Sequence, residues 1–255
     1  TVAVGDTEVQ IFSGGSGPPL LFLSGGEGLC TFDPWSGPLG QSYTVYVPSH
    51  PGFDGTPRPP WVSTVTDVAH FTLELAQRLG LDQYILMGHE IGGWIAAEMA
   101  AMCQDKLKGL VLIDAAGIKP EAGEIAEMFM VSAETRLGRA FYGPSKVPDY
   151  DWYTRELTPE EANQTHSNRA MLSRLCWKPY LHNPSLSYYL RKVTTPTLII
   201  WGKQDAIFPL ECGELYRDAL PNATLDSIDQ SGNRPHIEKP QEFLGAVEEF
   251  LAGLN

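Results

Sequence analysis

Cysteine is scarce in this chain: four in 255 residues, at positions 30, 103, 176 and 212, with no Cys-x-x-Cys pair. That spacing offers neither a disulfide framework nor a zinc site, so reduced and mostly buried thiols are expected. No metal and no other cofactor is expected either. No apolar run approaches the ~18 residues needed to span a bilayer. No charged-then-apolar leader opens the chain, so the expectation is a cytoplasmic protein with no membrane partner. Basic residues are outnumbered, 18 against 31 acidic ones, giving a net charge of −13. Such a field repels nucleic acid, which is excluded as a partner. What remains is ordinary globular composition, with enough length for one large domain, or a core with an insertion, as a monomer or homodimer.

Short β-like runs alternate with helical patterns, the signature of a parallel sheet with helices on both faces. Strands are expected at Val9–Phe12, Leu20–Leu23, Tyr43–Val47, Tyr84–Met87, Leu110–Ile113 and Thr197–Trp201. The later ones are continuous apolar runs, as strands buried on both faces require. Helices are expected over 63–79, 91–103, 209–219 and 240–253, with Gly80 as a stop and Pro240 as a first helical position. The rhythm breaks between Lys119 and Arg191, where breakers (Gly143-Pro144, Pro148) mix with aromatics such as Phe129, Phe141, Trp152 and Trp177. The expected division is a core of 1–118 and 192–255 with a helical insertion, 119–191, capping the sheet's carboxyl edge. Most of those aromatics are expected to form the insertion's own small core.

Five motifs then follow in order. Leu21-Phe22-Leu23-Ser24-Gly25-Gly26 is an apolar strand running into small residues, and His50-Pro51-Gly52-Phe53 is a turn. Gly88-His89-Glu90-Ile91-Gly92-Gly93 joins a strand to a helix. Pro196 to Asp205 is a strand ending in an acid, and Ser231-Gly232-Asn233-Arg234-Pro235-His236 is a loop. Together they resemble an α/β-hydrolase with a helical cap, over nearly the whole chain. The likeness is to capped bacterial hydrolases that include C–C bond hydrolases, lactonases and esterases. The implied fold is a mostly parallel, doubly wound α/β sheet with a cap insertion. The implied site has a Gly-x-Ser-x-Gly nucleophile elbow, an acid and a histidine, in that chain order.

Three positions depart from that pattern. Glu90 stands where the resemblance implies the nucleophilic serine, Asn233 where it implies the histidine, and Ser24 where the family carries a histidine on the oxyanion loop. Asp205 stands at the acid position, with no imidazole to orient. An amide does not titrate near neutrality and cannot serve as a general base. Of the other histidines, His89 is expected to point away from the site, His236 to make an ordinary polar contact, and His182 to belong to the cap.

The candidate site is therefore Glu90, Ser24, Asn233 and Asp205, with Gly25, Gly26 and Ile91 as backbone oxyanion positions. A helix N-terminus favours an ionised Glu90 and burial opposes it, and the sequence leaves the sign open. Three readings follow. Glu90 is a base toward carbon, with Ser24 and Asn233 as neutral donors, on a small apolar or aromatic substrate. Or the protein binds such a ligand without turnover. Or Glu90 is a carboxylate nucleophile whose ester stalls for want of a histidine. The altered positions are all polar while the scaffold motifs stay near ideal, the pattern of a site rebuilt as a unit, by divergence or by design.

Overall fold

The computed structural model describes residues 1–28, 35–143, 145, 147 and 150–254. Cys30, Pro144 and Pro148 lie outside the described residues.

Strands β1 (Val2–Val4) and β2 (Thr7–Val9) form a hairpin against α2 (Val65–Arg78). The main sheet has seven strands: β3 (Ile11–Gly15), β4 (Pro19–Leu23), β5 (Thr44–Pro48), β6 (Tyr84–His89), β7 (Leu107–Ile113), β8 (Thr197–Gly202) and β9 (Ala223–Ile228). Their spatial order is β3-β5-β4-β6-β7-β8-β9, and only β3 runs antiparallel. Alternate residues of each central strand enter two separate cores. Leu21, Leu23, Leu86, Leu112 and Trp201 pack under α2, α3 (Ile91–Met102) and α8 (Leu210–Ala219). Leu20, Phe22, Met87, Val111 and Ile200 pack under α1 (Ser36–Gly40) and α10 (Pro240–Ala252). Burial on both faces is why these strands read as unbroken apolar runs. Phe243, Val247 and Leu251 supply the inner face of α10, each contributing about 2 kcal/mol through burial.

Three expectations change. The run Val9–Phe12 is two strands, because Gln10 separates a hairpin partner of β1 from an edge partner of β5. The edge strand β9 was not expected: Ala-Thr-Leu-Asp-Ser-Ile alternates partly exposed with exposed residues and lacks an apolar run. The helix expected over 63–79 runs Val65–Arg78, because Thr64 and Asp67 close a reciprocal capping box ahead of it.

Between β7 and β8 lie α4 (Ala133–Ala140), α5 (Tyr150–Thr154), α6 (Pro159–Cys176) and α7 (Leu186–Leu190). The last packs on α3 and α8, in the same layer as the core helices. The expected single small core does not form: Phe141 meets Tyr150 and Tyr153 in a separate cluster, Phe129, which touches Trp177 and Tyr180, joins the core under α3, and Trp152 and Trp177 are exposed. Cys176 and Cys212 are buried free thiols and Cys103 is exposed. No described helix is long and apolar enough to cross a membrane.

Candidate functional site

The chain passes from β4 out to β5 and returns to the other side of β4 at β6. The carboxyl ends of β4 and β6 therefore flank a switch point, where open α/β sheets form their crevice. Ser24-Gly25-Gly26 leaves the end of β4, and Glu90 leaves the end of β6 at φ 53, ψ −117. That left-handed backbone is strained for a residue with a side chain. Ile91 begins α3 directly behind it.

A cavity of about 20 Å³ lies here, lined by Ser24, Gly25, Glu27, Glu90, Arg234 and His236 among others. It holds one water-sized group. The half-buried Glu90 carboxyl reaches toward the β4 loop, where the Gly26 N–H donates to Oε2 at 3.1 Å. Glu90 thus takes up the Gly26 amide itself. A Cβ on Gly25 would fall 2.7 Å from Glu90 Oε2, and one on Gly26 2.5 Å from Leu172 of α6, so either would push a side-chain end aside. Burial raises the Glu90 pKa to about 7; the Gly26 amide and Arg234 pull the other way, and Glu27 and Asp205 add to the rise. Desolvation therefore wins the contest that the sequence left open.

His89 was expected to point away and His236 to make an ordinary polar contact, yet both line the cavity, with rings edge to face at 4.6 Å. His89 Nε2–H donates to the Asn233 carbonyl at 2.8 Å, which leaves Nδ1 as a lone pair. Burial, with Arg234 nearby, lowers its pKa to about 4, and burial keeps His236 neutral too. Neither imidazole is a strong base. His50 Nε2–H donates to the Ser24 carbonyl at 3.0 Å and fixes the β4 loop from behind.

Asn233 and Asp205 form a pair beside the cavity and are absent from its lining. Asn233 Nδ2 donates to Asp205 Oδ2 at 2.9 Å, so that N–H is committed to the carboxylate instead of to developing charge. Asp205 Oδ1 accepts the Ile207 and Phe208 N–H groups at 2.7 and 3.1 Å. Asp114, fully buried at the end of β7, meets Asp205 there. Burial and the adjacent carboxylate hold Asp114 protonated; burial also raises Asp205, to about 6, against the pull of its donors, so Asp205 is the one of the two that carries the charge.

Four residues around the candidate site, Arg234, Glu27, Asn168 and Glu238, were not singled out from sequence. Arg234, 6% exposed, pairs through Nη2 with Glu27 across 207 positions, and its guanidinium lies 5.2 Å from the Phe141 ring. Burial works against both charges, but their mutual attraction prevails: Arg234 is raised and Glu27 lowered. Asn168 of α6 donates to the Glu27 carbonyl at 3.0 Å and to Asp54 Oδ1 at 2.8 Å, and accepts the Asp54 N–H at 2.9 Å. Glu238 accepts the Gly232 N–H at 2.5 Å and the Tyr142 N–H at 2.8 Å. No group of three or more His, Cys, Asp or Glu among the described residues is arranged to hold a metal ion.

Residues 18–240 match the family model described as alpha/beta hydrolase fold. The chain is 25% identical to the 2-hydroxy-6-oxo-2,4-heptadienoate hydrolase of Pseudomonas putida, over 98% of this chain and 95% of that enzyme. It is also 25% identical to Lipase 3 of a Moraxella species, over 100% of this chain and 84% of the lipase. A meta-cleavage product hydrolase from Pseudomonas fluorescens superposes with a TM-score of 0.80, at 20% identity, covering 100% of this chain and 97% of that one. The fold is thus shared with hydrolases, and the chain belongs to the alpha/beta hydrolase fold family.

Proposed function

We propose that this chain is a proton-transfer catalyst in which Glu90 is the general base, and that it does not work by serine hydrolysis. One observation carries the reading: the elbow presents a half-buried carboxyl, with its pKa raised to about 7, into a cavity. A carboxylate so desolvated abstracts a proton from carbon more readily than one in water, and its ionisation midpoint sits near working pH. Serine hydrolysis needs a hydroxyl at 90 and an imidazole at 233, and neither is present. The substrate is a small molecule whose acidic C–H faces Glu90 and whose apolar or aromatic part rests toward Phe22 and Ile237. In this reading residues 119–191 are the cap, Ser24 donates from the β4 loop, Asp205 and Asn233 brace the neighbouring loop, and no cofactor takes part.

The test is elimination of a benzisoxazole, a carbon acid that reports proton abstraction directly. The rate rises as Glu90 loses its proton, through about pH 7, and is flat above. Glu90→Gln abolishes turnover and keeps binding. A parent no faster than a simple carboxylate in solution, or an equally active Gln variant, refutes the reading.

A second reading is binding without turnover, favoured by the Gly26 amide already being taken by Glu90. It predicts a thermal shift with small apolar ligands that is unchanged in Glu90→Gln, with no elimination by either protein.

A further inference from the structure

Arg234 carries two nitrogens, Nε and Nη1, that are buried with no hydrogen-bond partner, and His236 Nδ1 on the same cavity is in the same condition. An N–H of a charged group left unpaired away from water is costly, and native structures rarely keep one without use. Arg234 cannot relieve the cost by swinging outward. Nη2 is tied to Glu27, and the guanidinium lies 5.2 and 5.8 Å from the Phe141 and Tyr153 rings.

The geometry points to Arg234 as the group that receives negative charge on a substrate oxygen when Glu90 removes a proton from the neighbouring carbon. The substrate class is a small carbonyl compound with an acidic α C–H. This rests on the proposed base role of Glu90 and adds the chemistry of the acceptor. Glu90 takes the α proton, the C–H pair becomes the C=C bond, and the carbonyl π pair moves onto oxygen. The resulting enolate oxygen accepts from the free guanidinium N–H. Return of the proton from Glu90 to a conjugated carbon gives an isomer, with no atom gained or lost.

Charge balance supports this choice of ligand. Glu27 cancels the net charge of Arg234, so the site does not strongly attract free anions. It still offers fixed donors to an oxygen that is neutral in the ground state and charged at the transition state, the differential binding catalysis requires. A cavity of about 20 Å³ matches the oxygen end of such a molecule. Asn233 fills this role less well, since its amide already serves Asp205.

The test separates this inference from the base reading by using binding alone. In Glu90→Gln protein, 4-nitrophenol is titrated and its phenolate absorption is followed against pH. With Arg234 in place the bound phenol ionises more readily than in the Glu90→Gln/Arg234→Met double variant, whose phenolate affinity falls roughly tenfold or more. Glu27→Gln in the Glu90→Gln background removes the competing acceptor and tightens phenolate binding, which keeps the inference testable should the Met variant not fold. Equal affinities with and without Arg234, unchanged affinity on Glu27→Gln, or no phenolate binding at all overturns it. If the Arg234 effect holds and the parent fails on benzisoxazole, the base reading alone falls.

Discussion

Glu90→Gln preserves the side chain's shape and its capacity to accept the Gly26 N–H, while removing its ionisation, so it isolates what charging this carboxyl costs the fold. The carboxyl moves from an ordinary pKa of 4.5 to about 7, chiefly by burial. At about 1.4 kcal/mol per decade, the ionised form is penalised by about 3 kcal/mol. The side chain is only half-buried, and solvent screening trims this to about 2 kcal/mol. The folded state holds the proton more tightly than the unfolded state. The parent therefore has its full stability below the ordinary carboxyl range, loses it as pH rises through about 7, and is flat above. Relative to the parent, the Gln variant should gain about 2 kcal/mol between about pH 5 and about pH 8.5, which for a chain of this size is roughly 5 °C in Tm. Paired thermal melts across that range read the difference directly. A difference in Tm that is constant with pH would mean Glu90 titrates as it does in water, and the desolvation argument for its basicity would fail with it.

Three further outcomes are expected. Asp205→Ala strips the acceptor from Asn233, Ile207 and Phe208 and from the Asp114 proton, and should cost about 2 kcal/mol in denaturant melts; Asn233→Ala should cost less. Activated esters should not be turned over by the parent, whereas Glu90→Ser, Asn233→His and Ser24→His combined should gain measurable p-nitrophenyl esterase activity that no single change brings, since a triad acts as a unit. Glu238→Ala removes the acceptor of both the Gly232 and Tyr142 N–H groups and should lower stability by about 2 kcal/mol while exposing the chain near Tyr142 to limited proteolysis.

The parallel sheet was legible because strands buried on both faces write themselves as apolar runs. The weak places were at the edges. Half-exposed β9 has no such run, and Gln10 divides two strands for reasons that lie in their partners. Of the four side chains that the sequence motifs singled out, Ser24 and Glu90 line the cavity, whereas Asp205 and Asn233 stand beside it. Arg234 stood next to one of them unremarked, because its meaning depends on Glu27, more than two hundred positions away. His89 was misplaced for a related reason, and His236 makes no polar contact through Nδ1 where one was expected: local spacing does not tell which way a ring turns once a helix and a loop pack against it. The protonation of Glu90 was undecidable from sequence, since two opposing effects of similar size meet there and only the burial settles them.

Asn168 has a consequence for time as well as for shape. A single α6 side chain grips the backbone of the β4 loop and both the backbone and side chain of Asp54, and Leu172, one turn along, lies over Gly26. These α6 side chains are therefore fastened to the β4 loop, and a molecule larger than the cavity is expected to enter only after those bonds break. Entry would then be a gated event. At high ligand concentration the observed binding rate should level off at the opening rate instead of climbing in proportion, and Asn168→Ala should raise that ceiling without changing what the site recognises.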